Sequence, residues 1–519
     1  MLSDRRSHRV ISNAIYNLVP QVWFLGLTIF TTPVVLHRLG VDAYGVLSIV
    51  TIVAGYLAFL DLGLNVAVIK FIAAHDAKGE RDEIRRVIQT ALSVFLVMGV
   101  AAAAALFLFS DSLARLLNTP ESMQPEAALA LRVSAVSFGV NLVMGVFSAV
   151  PRALQRFDLI NVLNLVLGSL QILGTVLLLV SGFGLRAVVV WGCALSGISL
   201  ITYIVVAKRL VPVMSIRPRF DAKKFRELFK FSGFVMASNF TGVAAAHSEK
   251  LILGGFAPIA QVTYYAVPFN LASRVLNLIP NNLFSVLFPA FAAMGATEKL
   301  ETIREAYQRA FKLIFLAVAP ISILMGVFGS ELLRLWIDPE MGRNGGPVLA
   351  VLAIAILVNA PAWVSVTVGQ SLGRPALVAG SQVIHLVALI GGGLILVPRY
   401  GAFGAALAWL GGNLIGIPVL VFLVNRHVLG LGTVAMLRES LLRPMVAAAL
   451  ALAVAILLRP MVHGWVWLSL ASAAVTGFYL AIAYRASLNH SDRDIFKTFI
   501  SSRYQSALRP EPKVAKSQI

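Results

Sequence analysis

Apolar residues fall along this chain in runs of about 20, the length of one helical membrane crossing, with polar positions inside them at helical spacing. About fourteen runs can be marked, near 11–36, 43–69, 88–109, 127–150, 160–182, 185–207, 229–255, 260–291, 310–335, 347–370, 375–397, 403–425, 441–459 and 464–484. They predict an all-α polytopic membrane protein whose connections are short. Several runs carry a polar stripe. In the eighth, Asn270, Arg274, Asn277 and Asn281 follow i, i+4, i+7, i+11, one face of a helix. The first aligns Asn17, Gln21 and Thr28, and the seventh aligns Ser232, Asn239 and Lys250. The fourth presents Ser134, Ser137 and Asn141, the tenth Asn359 and Thr367, and the second Asp61 with Asn65.

Two readings of such stripes compete. Asn, Ser and Thr in membranes often hydrogen-bond neighbouring helices. A charge at mid-bilayer costs roughly 2.5–3.5 kcal/mol on insertion scales and therefore faces a cavity or a partner. Three amides around an arginine favour a water-filled lumen for the eighth run. Arg274 and Lys250 suit a diphosphate, while amides that donate and accept suit sugar hydroxyls. A local pair with Glu249 is the alternative for Lys250. Asp61 lies nine residues before Lys70, about 13–14 Å along a continuous helix. It is a coupling candidate for a proton or sodium ion, or a structural acceptor. Pro20, Pro33, Pro268, Pro280 and Pro289 interrupt the first and eighth runs and favour kinks there.

Composition sharpens the class. Of 519 residues, 58% are hydrophobic and 13% charged, far from the soluble norm. The net charge of +19 is not a nucleic-acid footprint, because the cations cluster in alternate loops: Lys78 to Arg86, Lys208 to Lys230, and the tail from Arg485. That asymmetry places both termini in the cytoplasm and requires an even number of spans. The first run is read as a retained anchor. Cys193 stands alone in an apolar run, so neither a disulfide nor a thiolate metal site is expected, and no cofactor or catalytic residue is assigned.

The chain also repeats itself. Residues 36–60 align with 253–280, Tyr44 opposite Tyr264, and residues 182–197 with 401–416, Trp191 near Trp409, both offsets being close to 220. The expected organisation is an N-terminal lobe (1–207), a basic inter-lobe loop (208–230), a second six-helix lobe (231–425), two further helices (426–484) and a basic tail (485–519). Six spans per lobe implies a pseudo-two-fold axis along the membrane normal, with a substrate path between the lobes.

LGVDAYGVLSIV, FLDLGLNVAVIKFIA, the basic loop between lobes and GQSLGRPAL (369–377) together resemble the polysaccharide-export flippases. These belong to the multidrug/oligosaccharidyl-lipid/polysaccharide exporter superfamily, with the multidrug antiporters and the lipid II flippases. The resemblance spans essentially the whole chain. It implies translocation of a polyprenyl-diphosphate-linked oligosaccharide across the bacterial inner membrane, with polysaccharide-assembly enzymes as partners. An ion-coupled exporter of organic cations on the same fold is the alternative. A membrane enzyme on lipid-linked sugars fits less well, since loops 110–127 and 336–346 hold no metal pattern, nucleophile elbow or P-loop.

Overall fold

The computed structural model describes the backbone of residues 2–57, 61 and 63–487, with side chains from residue 21 onward except 54–60, 62, 231, 233–247, 277, 281, 282, 285, 286 and 297. Among these residues the regular elements are helices, without a strand. The first half contains α1 (Leu2–Leu39), α2 (Val41–Leu57), α3 (Leu64–Ala77), α4 (Arg81–Leu116), α5 (Gln124–Ala153), α6 (Phe157–Val180) and α7 (Leu185–Leu210). The second contains α8 (Ala222–Phe256), α9 (Ile259–Leu276), α10 (Asn282–Thr297), α11 (Leu300–Trp336), α12 (Pro339–Ser371) and α13 (Pro375–Val424). Two more follow, α14 (Thr433–Leu458) and α15 (Trp465–Ile482). Ten helical stretches of the described residues are long and apolar enough to cross a membrane. The chain is a multi-pass membrane protein.

Local chemistry sets the helix ends. The Asp221 carboxylate accepts from the N–H groups of Lys223 and Lys224 and so opens α8. Asp338 does the same for Met341, with Pro339 in the first helical position of α12. Helix α13 bends at Gly401, whose φ of 55° only glycine adopts freely, three residues after Pro398. That bend falls where the pattern separates runs 375–397 and 403–425.

Two runs depart from continuous helices. The second breaks between α2 and α3, around Asp61 and a left-handed Gly63 with φ 71°. The 13–14 Å depth expected for Asp61 therefore does not apply. The eighth passes from α9 into a π-helical turn, Asn277–Asn281, before α10. Pro280 within it cannot donate a backbone hydrogen bond. A wider turn shifts the angular register, so a stripe drawn at 3.6 residues per turn does not carry past Leu276.

The order of helix ends recurs. Val41 and Ile259, Leu64 and Asn282, and Phe157 and Pro375 each open a helix, and each pair is 218 residues apart. In the first half α3, α4, α5 and α7 pack around Val68, Ile88, Phe95, Val146 and Phe147. In the second, α8, α9, α11, α12 and α13 enclose the larger core. Helices α14 and α15 lean on α11, where Phe315, Ala319 and Ile323 meet Ala451, Ala455 and Tyr479.

The halves meet at the end of the bundle opposite the basic loops. The Thr263 hydroxyl donates to the Val41 carbonyl at 2.7 Å, and Asn118 Nδ2 donates to the Gly255 carbonyl at 2.7 Å. Gly45 makes the approach of α2 to α9 close: a Cβ there would lie 2.6 Å from the Ile259 carbonyl oxygen. At the basic end the loop between the halves is fastened to α4. Lys224 Nζ lies 2.8 Å from Glu83, and Gln89 exchanges hydrogen bonds with the backbone of Arg217 and Arg219.

Candidate cavities and their polar linings

Two polar cavities lie within the bundle. The larger, about 690 Å³, is ringed by α2 to α7 and lined by Asp61, Asn65, Ser137, Asn141, Gln171 and Ser196 among others. Its hydroxyls and amides arrive from five helices, and Asp61 is the single charged side chain on its described lining. The broken helix explains the carboxylate. Asp61 Oδ1 accepts from the backbone N–H of Asn65 at 3.1 Å, which satisfies one of the donors left free at the start of α3. The Asn65 side chain enters the same space, and its Oδ1 is buried without a partner. Asn141 Nδ2 reaches Ser196 Oγ at 3.4 Å, and Gln171 and Thr175 pair one turn apart on α6.

The smaller cavity, about 220 Å³, lies among α1, α2, α9 and the end of α11. Arg274 and Asn270 enter from α9, Thr28 and Thr32 from α1, and Tyr44 and Trp336 close the sides. Arg274 Nη2 touches Thr28 Oγ1 at a long 3.5 Å, its one hydrogen bond to a described residue, so most of its five donors have no partner among the described residues. Thr28 itself donates to the Phe24 carbonyl at 2.7 Å, which orients its lone pairs toward Arg274. Asn270 is within hydrogen-bonding reach of Tyr44. Trp336 Nε1 donates to the Ile29 carbonyl at 2.7 Å and ties α11 to α1. The two cavities share a wall: Tyr44 lines the smaller while Leu47 and Thr51, on the same face of α2, line the larger.

The candidate residues divide accordingly. The structure brings Asp61 and Asn65 together in one cavity and Arg274 with Asn270 in the other. Lys250 is placed differently: it is 7% exposed, its Nζ stands 4.1 Å from the Phe269 ring centroid, and Glu249 is its immediate neighbour. Glu249 in turn receives the Tyr265 hydroxyl at 3.4 Å. Gln21 is half-buried on α1 and has a partner. The side chains of Asn17, Asn239, Asn277 and Asn281 lie outside the described residues. Asn359 joins helices, its Nδ2 donating to Asn413 Oδ1 at 2.6 Å while its own oxygen accepts from Trp363. The polar stripes of the sequence do not include Tyr44, Gln171, Thr175 and Ser196, which also line these cavities. The Gln171/Thr175 spacing of four was the available signal.

Residues 35–337, more than half of the chain, match the family described as polysaccharide biosynthesis protein. The chain belongs to that family. Among similar proteins, a candidate O-antigen transporter of Shigella flexneri is 23% identical over 401 residues, covering 77% of this chain and 94% of its own. The succinoglycan biosynthesis transport protein ExoT of Rhizobium meliloti is 24% identical over 410 residues, 77% of this chain and 75% of its own. Among solved structures, the lipid II flippase MurJ in an inward closed conformation has a TM-score of 0.71 at 12% identity, covering 92% of this chain and 99% of that one. An inward-facing multidrug resistance MATE family transporter of the MOP superfamily reaches 0.67 at 14% identity, with 82% and 99% covered. The family member described here therefore has the fold these transporters share.

Proposed function

We propose that the protein is a flippase that moves polyprenyl-diphosphate-linked oligosaccharide repeat units across the bacterial inner membrane by alternating access. The observation that carries this reading is the pair of adjoining cavities with unlike chemistry. One presents a guanidinium, suited to a diphosphate, and the other a set of amides and hydroxyls around a single carboxylate, suited to many sugar hydroxyls without fixing one sugar. The family, and relatives named for O-antigen and succinoglycan transport, support the cargo class.

In this reading residues 1–207 and 231–425 are lobes that rock about the shared seam, 208–230 joins them on the cytoplasmic side, and helices within 426–484 are an addition to the transport core. Both termini are cytoplasmic. The contacts at the far end then close the periplasmic side, so loading occurs from the cytoplasm. Arg274 and Asn270 hold the diphosphate, with Asn277 and Asn281 contributing from the π turn that follows α9. Asp61 and Asn65 meet the sugar, and a proton or sodium gradient acting at Asp61 drives the return. Lys250, Asn239, Asn17 and Gln21 contribute to the passage in other states. Polysaccharide-assembly enzymes would supply the cargo and take it up.

Purified protein in liposomes, given fluorescent polyprenyl-diphosphate sugars with and without ion gradients, tests this. Protein-dependent flipping of the lipid-linked sugar is expected. Transport of organic cations without any flipping of lipid-linked sugar would turn the reading toward an antiporter.

A further inference from the structure

A third polar space, about 530 Å³, opens at the end of the bundle opposite the basic loops, where α11 ends, α12 begins and the α14–α15 connection crosses. Arg334, Arg343, Arg459 and His463 all border it. Two glycines bring the first two of these together. A Cβ on Gly342 would lie 2.7 Å from the Arg334 Cβ, and one on Gly346 would lie 2.1 Å from Ser330 Oγ, so α12 rests directly on α11.

Each acid nearby has one oxygen engaged. Glu331 Oε1 accepts from Arg459 Nε at 2.9 Å, Asp338 caps Met341, and Glu340 accepts from the Tyr264 hydroxyl. Arg334 and Arg343 have no hydrogen-bond or ion-pair partner among the described residues. Glu331 Oε2, on the same lining, is buried without a donor. Trp465 and Trp467, which open α15 just after the lining residue His463, are about half exposed. Tryptophans in that position mark the head-group level of a bilayer. Two guanidiniums without a described partner, an acceptor without a donor and a cavity at that depth describe a phosphate-bearing ligand with a further donor group.

We propose that this pocket binds the phosphate of a lipid head group, gripped by Arg334 and Arg343. It stands apart from the two transport cavities and does not depend on the cargo assigned to them. The phosphate could belong to a bilayer phospholipid or to a polyprenyl diphosphate, and the test separates these sources.

The full chain, purified in non-ionic detergent, is titrated with phosphatidylglycerol, with a polyprenyl diphosphate, and with diacylglycerol of the same acyl chains, and bound lipid is read by native mass spectrometry. Phosphatidylglycerol, the diphosphate lipid or both are expected to be retained, and diacylglycerol not. The Arg334→Gln/Arg343→Gln variant should hold the retained lipid on the order of tenfold more weakly, as loss of charge-assisted hydrogen bonds requires. The lipid whose retention falls in the double variant names the source, since a diphosphate lipid held at Arg274 would be retained by both proteins. Equal retention of diacylglycerol, or unchanged affinity in the double variant, overturns the site. Should that variant not fold, inorganic pyrophosphate added to the wild type must displace the lipid, and failure to displace it is equally decisive.

Discussion

Asp61 carries two duties that substitution can separate. Its oxygen caps α3, and its charge faces the larger cavity. Asp61→Ala removes the cap and should cost about 1 kcal/mol of stability, whereas Asp61→Asn keeps an accepting oxygen and should unfold near the wild-type temperature. If the charge also couples transport, the Asn variant loses its response to an ion gradient in liposomes while remaining folded. An unchanged response would leave Asp61 a purely structural residue. Arg274→Gln should lower flipping on the order of tenfold or more, with normal levels of protein in the membrane, because a neutral amide replaces a charged fork. That Arg274 lines a polar cavity was legible from its setting, a lone cation among amides in an apolar run. Lys250 was not. Sequence shows a cation in a span but not the Phe269 ring beneath it, a contact made nineteen residues away on another helix.

At the level of elements, the break in the second run is the feature that pattern reading passed over. Hydropathy stays high through residues 57–64, so periodicity continues across a place where the backbone turns. The turn chemistry of Asp61 and Gly63 was present in the sequence, overshadowed by the apolar residues around it. Gly63→Ala should destabilise by about 1–2 kcal/mol, because a side chain is strained in the left-handed region, and a lowered melting temperature in detergent would report it. The π turn at Asn277–Asn281 escaped for a related reason, since Pro280 signals an irregularity without saying how the helix will absorb it. Outside the bilayer, Asp221 makes a pH-dependent contribution. The Lys224 and Lys223 N–H groups hold its carboxyl below the usual carboxylate range. The cap is therefore complete at neutral pH, weakens as acid begins to protonate the unfolded chain, and is lost below the folded value. The stability gap between the wild type and Asp221→Ala should close as pH falls through that range and stay constant above it.

For the molecule as a whole, fold class was the most legible property, because only helices satisfy their own backbone in lipid and the runs have the right length. Two matched segments suggest a repeat at an offset close to 220, and three pairs of helix starts stand 218 residues apart. What could not be read was which ends of the halves touch, since that depends on small residues such as Gly45 whose importance appears only with a partner in place. Gly45→Val would drive a side chain against the Ile259 carbonyl and push α2 off α9. The expected result is a bundle that populates the form open at that end. Spin labels on the α4–α5 and α8–α9 connections should then report a longer mean distance than in the wild type, and an unchanged distance would mean the seam does not govern opening.

The loop moored to α4 has a consequence for how the chain is made. Glu83 and Gln89 emerge from the ribosome well before Arg217, Arg219 and Lys224, so the anchorage is ready when the second half starts to insert. That half enters the bilayer already tethered at short range, where effective concentration replaces chance encounter. A circular permutant that synthesised the later helices first would lose this advantage and have to find its mate by diffusion in the plane of the membrane.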